Sequence, residues 1–318
     1  MPDGDMEAYE LGGRVDAGDV SAVTLDGLDR AVDQIAVAYH ATPPAQLLPE
    51  TRRYLRYVAQ LVDKRMTLVQ RRQLLTAGGW LSLLAATLHI DLGQRPAAAA
   101  RLATARSLAQ HTGHDEIGAW CLETHAWDAV TEGRYGTAVE LSRAAQHLAP
   151  AGSSAMIQAT AQEGRGWAKL GDASATRDAL NRVEQLVAPL ATPDQPEHHY
   201  RYDPDKQLAY TATTLSWVHD PAAVRYARDV LARLDPDGDG GTRPRRAAAA
   251  RLDLALALVS AGEPDEAAGR TFEAIQSGRI VPSNVWRVEE IVAAVERAGI
   301  LAAVDLREAH RALLPPPN

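Results

Sequence analysis

A set of small residues that returns about every 40 positions constrains this 318-residue chain more than any other feature. In AWDAVTEGRYGTAVELSRAAQHLAP, Ala126, Gly133, Tyr135, Ala138, Ala145 and Pro150 stand at intervals of 7, 2, 3, 7 and 5. Ala126 and Ala138 are small where two antiparallel helices cross closely. Gly133 supplies the left-handed conformation that ends the first helix, and Pro150 stops the second. Ala145 falls where that second helix meets the next hairpin. The pattern returns as Ala86, Gly93, Ala98 and Ala105, and again as Ala255, Gly262, Ala267 and Ala274. A looser copy holds Gly164 and Gly171, with Thr176 where Ala is expected. In a fifth, TTLSWVHDPAAVRYARDVLARLDP, His219-Asp220 replaces the glycine turn. Such a repeat implies stacked helical hairpins, each burying against its neighbours a face it cannot bury alone.

Composition agrees with an all-α fold. Hydrophobic residues make up 46% of the chain but aromatics only 5%, and a core of Ala and Leu suits close-packed helices better than sandwiches or barrels. The lone Cys121 excludes an internal disulfide framework and a multi-cysteine zinc site. A net charge of −8, with 30 Arg and 3 Lys, argues against a chain whose main partner is nucleic acid. The richest apolar run, Leu81 to Ile90, is too short to cross a bilayer, and the acidic opening MPDGDMEAYE lacks the features of a secretory signal. The expectation is a cytoplasmic protein with no membrane contact.

Helix signals divide the chain into N-terminal helices over 1–66, a repeat domain over 67–314 and a tail over 315–318. A first helix is expected from Thr24 to His40 and a second over 46–65, separated by the TPP turn at 42–44. Thr67 caps the next helix, which the Gly78-Gly79 pair interrupts or kinks. Hairpins then run to Pro189, a long Pro-rich loop covers 191–205, a second loop covers 235–245, and a last helical group covers 246–314.

These intervals resemble the tetratricopeptide repeat, with residues 135–150 the best match; the period of 38 to 40 between Gly93, Gly133 and Gly171 exceeds that family's 34, as helices about one turn longer would produce. GGWLSLLAATLHIDLGQ (78–94), AWCLETHAWDAVTEGRYGTAVELSRAAQ (119–146), ATAQEGRGWAKLGD (159–172) and YDPDKQLAYTATTLSWVHDPAAVRYAR (202–228) resemble the C-terminal half of actinobacterial regulators of the Xre helix-turn-helix type, over roughly residues 20–314. The resemblance implies a right-handed α-superhelix of about five hairpins, with the first helix of each lining a concave groove. No helix-turn-helix fits in residues 1–22, so that family's DNA binding does not carry over, and no direct nucleic-acid contact is expected.

Groove-facing positions carried over repeat by repeat are Trp80, Thr87 and Asp91; Trp120, Glu123, Trp127 and Thr131; Gln158 and Arg165; Lys206 and Thr213. The loop EHHYRYDPDKQLAYTATT adds His199, Arg201 and Tyr210. Aromatic walls with a few acids, amides and cations suit a small amphipathic molecule or a peptide, although the tryptophans could equally fill an Ala-rich core. The other chemical signals are weaker. Asp235, Asp237, Asp239 and Gly240 imitate the start of a calcium loop, but Arg246 stands where its bidentate Glu belongs. His111 and His114 beside Asp115 and Glu116, and His198-His199 near Asp203 and Asp205, have poor spacing for a metal. His89 and His125 read as packing histidines, Cys121 as a buried hydrophobe, and Glu123 with Asp128 as acids that could share one groove. No nucleophile elbow or phosphate loop is present, so no catalytic residue, metal or cofactor is assigned.

The function expected is a ligand-sensing or protein-interaction module of a regulator type. Its partner would be a small molecule or peptide, or else another protein or a second copy of the chain. A pure protein scaffold and an enzyme recruited from a regulator-like framework are the alternatives.

Overall fold

Polar caps set where the helices begin. Ser21 Oγ accepts from the Thr24 amide at 3.2 Å to open α1 (Ala22–Ala38), and Pro44 stands in the first turn of α2 (Pro44–Val62). A reciprocal box between Thr67 and Gln70 opens α3 (Leu68–Asp91). The computed structural model describes residues 18–236, 238 and 243–313, and among these it contains α-helices, one 3₁₀ turn and no strand. The all-α expectation therefore holds.

After α3 come α4 (Arg95–Thr112), α5 (Asp115–Thr131), α6 (Tyr135–Leu148), α7 (Ser154–Lys169) and α8 (Ala173–Val187). The loop then leads to α9 (Asp205–Trp217), α10 (Ala222–Leu234), α11 (Pro244–Ser260) and α12 (Pro264–Gln276). A 3₁₀ turn (Pro282–Asn284), α13 (Val285–Ala298) and α14 (Ala303–Leu313) follow. From α3 onward the helices pair as six antiparallel hairpins among the described residues, one more than expected, because the last helical group holds two. Each odd-numbered helix packs on its own partner, on the helix before it and on the next odd-numbered helix.

The repeat residues behave as their sizes require. Ala86, Ala98, Ala105, Ala126, Ala138, Ala145, Ala255, Ala267 and Ala274 are all buried at helix crossings. Gly93, Gly133, Gly171 and Gly262 hold positive φ at the hairpin turns. Where the fifth copy has no glycine, His219 itself takes φ 56° and its Nδ1 lies 2.8 Å from Ser260 Oγ. Thr176, in place of Ala, is buried and satisfies its hydroxyl by donating to the Asp172 carbonyl at 2.6 Å.

Two expectations are corrected. Gly78 and Gly79 do not break α3, which is continuous over 24 residues. A Cβ at Gly78 would lie 3.2 Å from Val58, and one at Gly79 the same distance from Ile117, so the pair lets α2 and α5 approach. The apolar run of 81–90 also belongs to this longer helix, which has the length and composition to cross a membrane. However, 78% of its apolar window is buried inside the protein, against α1, α2, α4 and α5. The first two helices share that core: Leu25, Leu28, Ile35, Leu47 and Val58 join Leu74, Leu81 and Leu84 in one cluster.

The early and late parts of the chain meet at the end of α3. Asp91, fully buried, accepts hydrogen bonds from Tyr39 Oη at 2.8 Å and from Ser283 Oγ at 2.8 Å, and pairs with Arg245 of α11. Asp237, Asp239 and Gly240 lie outside the described residues. Asp235 pairs with Arg251, and Arg246 is an α11 residue on Glu197 and Asp203.

Candidate functional site

A cavity of about 220 Å³ is lined in turn by the odd-numbered helices. Thr87 comes from α3, Trp120, Glu123 and Trp127 from α5, and Gln158 and Arg165 from α7. Lys206, Tyr210 and Thr213 come from α9, Arg245, Arg246 and Asp253 from α11, and Arg287 from α13. Successive first helices of a hairpin stack present equivalent faces to one space, which is why residues 200 positions apart in sequence meet here.

The long loop forms one wall. The His199 amide donates to the Ala36 carbonyl at 3.1 Å, and its ring lies 4.3 Å from Tyr39 and 4.8 Å from Tyr200. Tyr200 stands edge-on to Trp120 at 5.1 Å and tilted on Trp80 at 4.9 Å, and the Tyr202 amide donates to Ser154 Oγ at 2.9 Å. Burial holds the His199 and His40 imidazoles well below their ordinary pKa, a shift reinforced by the charge of Lys206, so both are neutral donors or acceptors at neutral pH. Of the expected loop residues, His199 and Tyr210 line the cavity. Arg201 does not: it bonds Asp33 of α1 at 3.3 Å and Gln195 at 3.2 Å, anchoring the loop from outside.

The polar heart of the cavity is Glu123. Its carboxylate accepts from Gln158 Nε2 at 3.1 Å, and that amide also donates to Tyr210 Oη. Burial pushes the Glu123 pKa up to about 7, against the hydrogen bond from Gln158 and the nearby charges of Arg165 and Lys206. Arg165 is buried, donates to Gln162 Oε1 at 3.1 Å, and has its guanidinium 5.5 Å from the Tyr210 ring and 5.4 Å from Trp217. Burial and the charge of Arg287 lower its pKa to about 10. Lys206 donates to the Arg201 carbonyl at 3.2 Å, and burial, then Arg246, lower it to about 8.

The remaining expected positions lie elsewhere. Trp80 is half-buried and packs on Tyr200 and His114 rather than lining the cavity. Asp91 is consumed by the contacts that join α3 to α11. Thr131 is turned to its own helix, donating to the Asp128 carbonyl at 2.7 Å. Asp128 does not share the cavity with Glu123, since five residues turn it to the side where Arg95 lies 3.4 Å away. His125 is exposed and so is not a packing histidine, whereas His89 is buried and meets Gln94 Oε1 at 2.7 Å. Cys121 is buried, and that burial pushes its thiol up to about 12, so it is not an activated nucleophile. His114 accepts from the Ile117 amide as the cap of α5, and no cluster of three or more His, Cys, Asp or Glu suited to a metal occurs among the described residues.

Sequence reasoning missed Tyr39, His40, Arg245, Arg246, Asp253 and Arg287. The signal available was burial of charge: Asp253 interrupts the apolar run of ARLDLALAL, and a carboxylate there must find a partner. It pairs with Arg287 at 2.8 Å. No protein family and no curated protein shows a significant match to this chain.

Proposed function

We propose that this chain is a cytoplasmic ligand-sensing module of the kind found in Xre-type regulators, built as a right-handed superhelix of tetratricopeptide-like hairpins, and that it holds a small molecule in the central cavity. The observation that carries this reading is the convergence of buried polar groups from α5, α7, α9, α11 and α13 on one cavity beside the Trp120, Trp127 and Tyr210 rings. A few fixed polar groups among aromatic walls are how small-molecule sites achieve orientation and specificity. Size favours a metabolite over a peptide, because about 220 Å³ is below the roughly 300–1,000 Å³ of sites for drug-sized ligands. A protein scaffold has no use for a buried Glu123–Gln158–Tyr210 chain, which costs desolvation and adds nothing to an outer docking face.

The mechanism follows from where Arg245 stands. It lines the cavity and also pairs with Asp91, which ties α3 to α11 and to the 3₁₀ turn. A ligand touching both halves of the wall favours one curvature of the stack over another, a population shift that a partner protein or a second copy can read. A second reading, an enzyme, rests on Glu123, whose pKa near 7 suits general acid–base work.

Intrinsic tryptophan fluorescence and thermal melting against metabolite, peptide and metal panels test these readings. A saturable change with a raised Tm for a small molecule is expected, and loss of the added compound during the titration would move the enzyme reading ahead. Stabilisation only by a macromolecular partner would leave the scaffold reading standing instead.

A further inference from the structure

The charges around the cavity do not balance, and the imbalance has a location. Five cations line it: Arg165, Lys206, Arg245, Arg246 and Arg287, against two carboxylates, Glu123 and Asp253. Three of the five are engaged: Arg245 by Asp91, Arg246 by Glu197 and Asp203, and Arg287 by Asp253 at 2.8 Å. Arg165 and Lys206 make no ion pair with a carboxylate among the described residues; Arg165 has only the Gln162 amide oxygen and two aromatic faces, and Lys206 a backbone carbonyl.

Arg165 and Arg287 also act on each other. The positive charge of Arg287 is felt at Arg165, and Asp253, which pairs with Arg287, also acts on Arg165 through its charge. Both guanidinium groups keep a buried Nε–H with no acceptor. A buried donor without an acceptor costs about 1–3 kcal/mol, more when charged, so these two cavity-lining side chains carry positive charge that the protein leaves incompletely satisfied. Planar guanidinium groups match a carboxylate or phosphate in geometry as well as charge. The apolar remainder of a ligand has the Trp120, Trp127 and Tyr210 rings to lie against.

Building on the reading of the cavity as a small-molecule site, we propose that its ligand is an organic anion with a planar apolar body, its acidic group seated on Arg165 and Arg287. Glu123, with Gln158 and Tyr210, faces the less charged end of that ligand as a hydrogen-bonding partner. Cationic ligands are disfavoured because they would add to the excess of positive charge around the cavity, and neutral ones because they leave that excess unbalanced.

The test uses matched trios that differ only in charge: indole-3-acetate, indole-3-acetamide and tryptamine, with phenylacetate, phenylacetamide and phenethylamine as a smaller set. Binding to the full chain is read by calorimetry and tryptophan fluorescence. The anion of a trio is expected to bind about tenfold or more tighter than its amide, the order of a charge-assisted hydrogen bond. Arg165→Met should remove that preference and leave amide binding within about threefold. The wild-type ranking stands as a test even if the variant does not fold. Equal or tighter binding of the amide or amine overturns the anion assignment while leaving the cavity a ligand site, provided Trp127→Ala abolishes the signal. Silence from all six compounds overturns the assignment and counts against the small-molecule reading itself.

Discussion

Two buried carboxylates on neighbouring helices are driven in opposite directions by what surrounds them. Glu123 is raised to about 7 by burial. Burial also raises Glu163, but hydrogen bonds from Gln146, Arg182, Arg143 and Trp167 outweigh it and bring it down to about 2. Their contributions to stability therefore have opposite pH dependence. A raised carboxylate is tolerated fully below 4.5 and costs stability as pH climbs through about 7. Glu123→Gln should leave urea stability unchanged near about pH 4 and increase it by up to about 3 kcal/mol near about pH 8. Glu163→Gln should do the reverse. It should cost about 2 kcal/mol at neutral pH, allowing for the exposure of its arginine partners, and the loss should fade as pH falls from 4.5 toward 2. Denaturation curves at three pH values decide both, and parallel curves for either variant and wild type would refute the assigned environment. Glu163 carried no signal as a buried group, because its neighbours arrive from α6 and α8 as well as its own helix.

Among the helices, the glycines separate into those that permit contact and those that only weaken the element. Gly166 of α7 lies against α6: a Cβ there would be 2.7 Å from Val139 Cγ2 and 3.4 Å from the Tyr135 carbonyl. Gly269 of α12 is exposed and has nothing within 4 Å. Gly166→Ala should cost about 1–3 kcal/mol by overpacking a crossing that backbone atoms cannot yield. Gly269→Ala should add about 0.5–1 kcal/mol through helix propensity. Equilibrium denaturation of the two variants is the check, and like-signed effects would contradict the packing described. Helix type and turn placement were legible at this scale, because Ala at crossings and Gly at turns are local steric requirements. The interruption expected at Gly78-Gly79 failed for the same class of reason. Propensity said the pair should break α3, while the helix runs on unbroken and the missing Cβ atoms leave room for Val58 and Ile117 of other helices.

For the whole molecule, the joint at Asp91 is the decisive contact. It brings Tyr39, Arg245 and Ser283 together across more than 190 residues and forms part of the frame around the cavity. Asp91→Asn leaves Arg245 buried without its carboxylate and should cost about 3–5 kcal/mol, the usual penalty for orphaning one member of a buried pair. Chemical denaturation and limited proteolysis should show this loss, with ligand affinity falling alongside it. Full stability in that variant would mean that the early and late helices are held by apolar packing alone.

Helix boundaries within a few residues, and the alternation that puts Thr87, Glu123, Gln158 and Thr213 on first helices, follow from spacing along the chain, since each depends on residues three to seven apart. That these positions face one cavity, that Trp80 faces Tyr200 instead, and that Arg245, Asp253 and Arg287 complete the wall depended on how distant helices pack together. That packing is the accumulated result of every helix contact along the chain. No single stretch of sequence carries it, so the charge balance of the cavity, and with it the chemistry of its ligand, emerges only when distant helices meet.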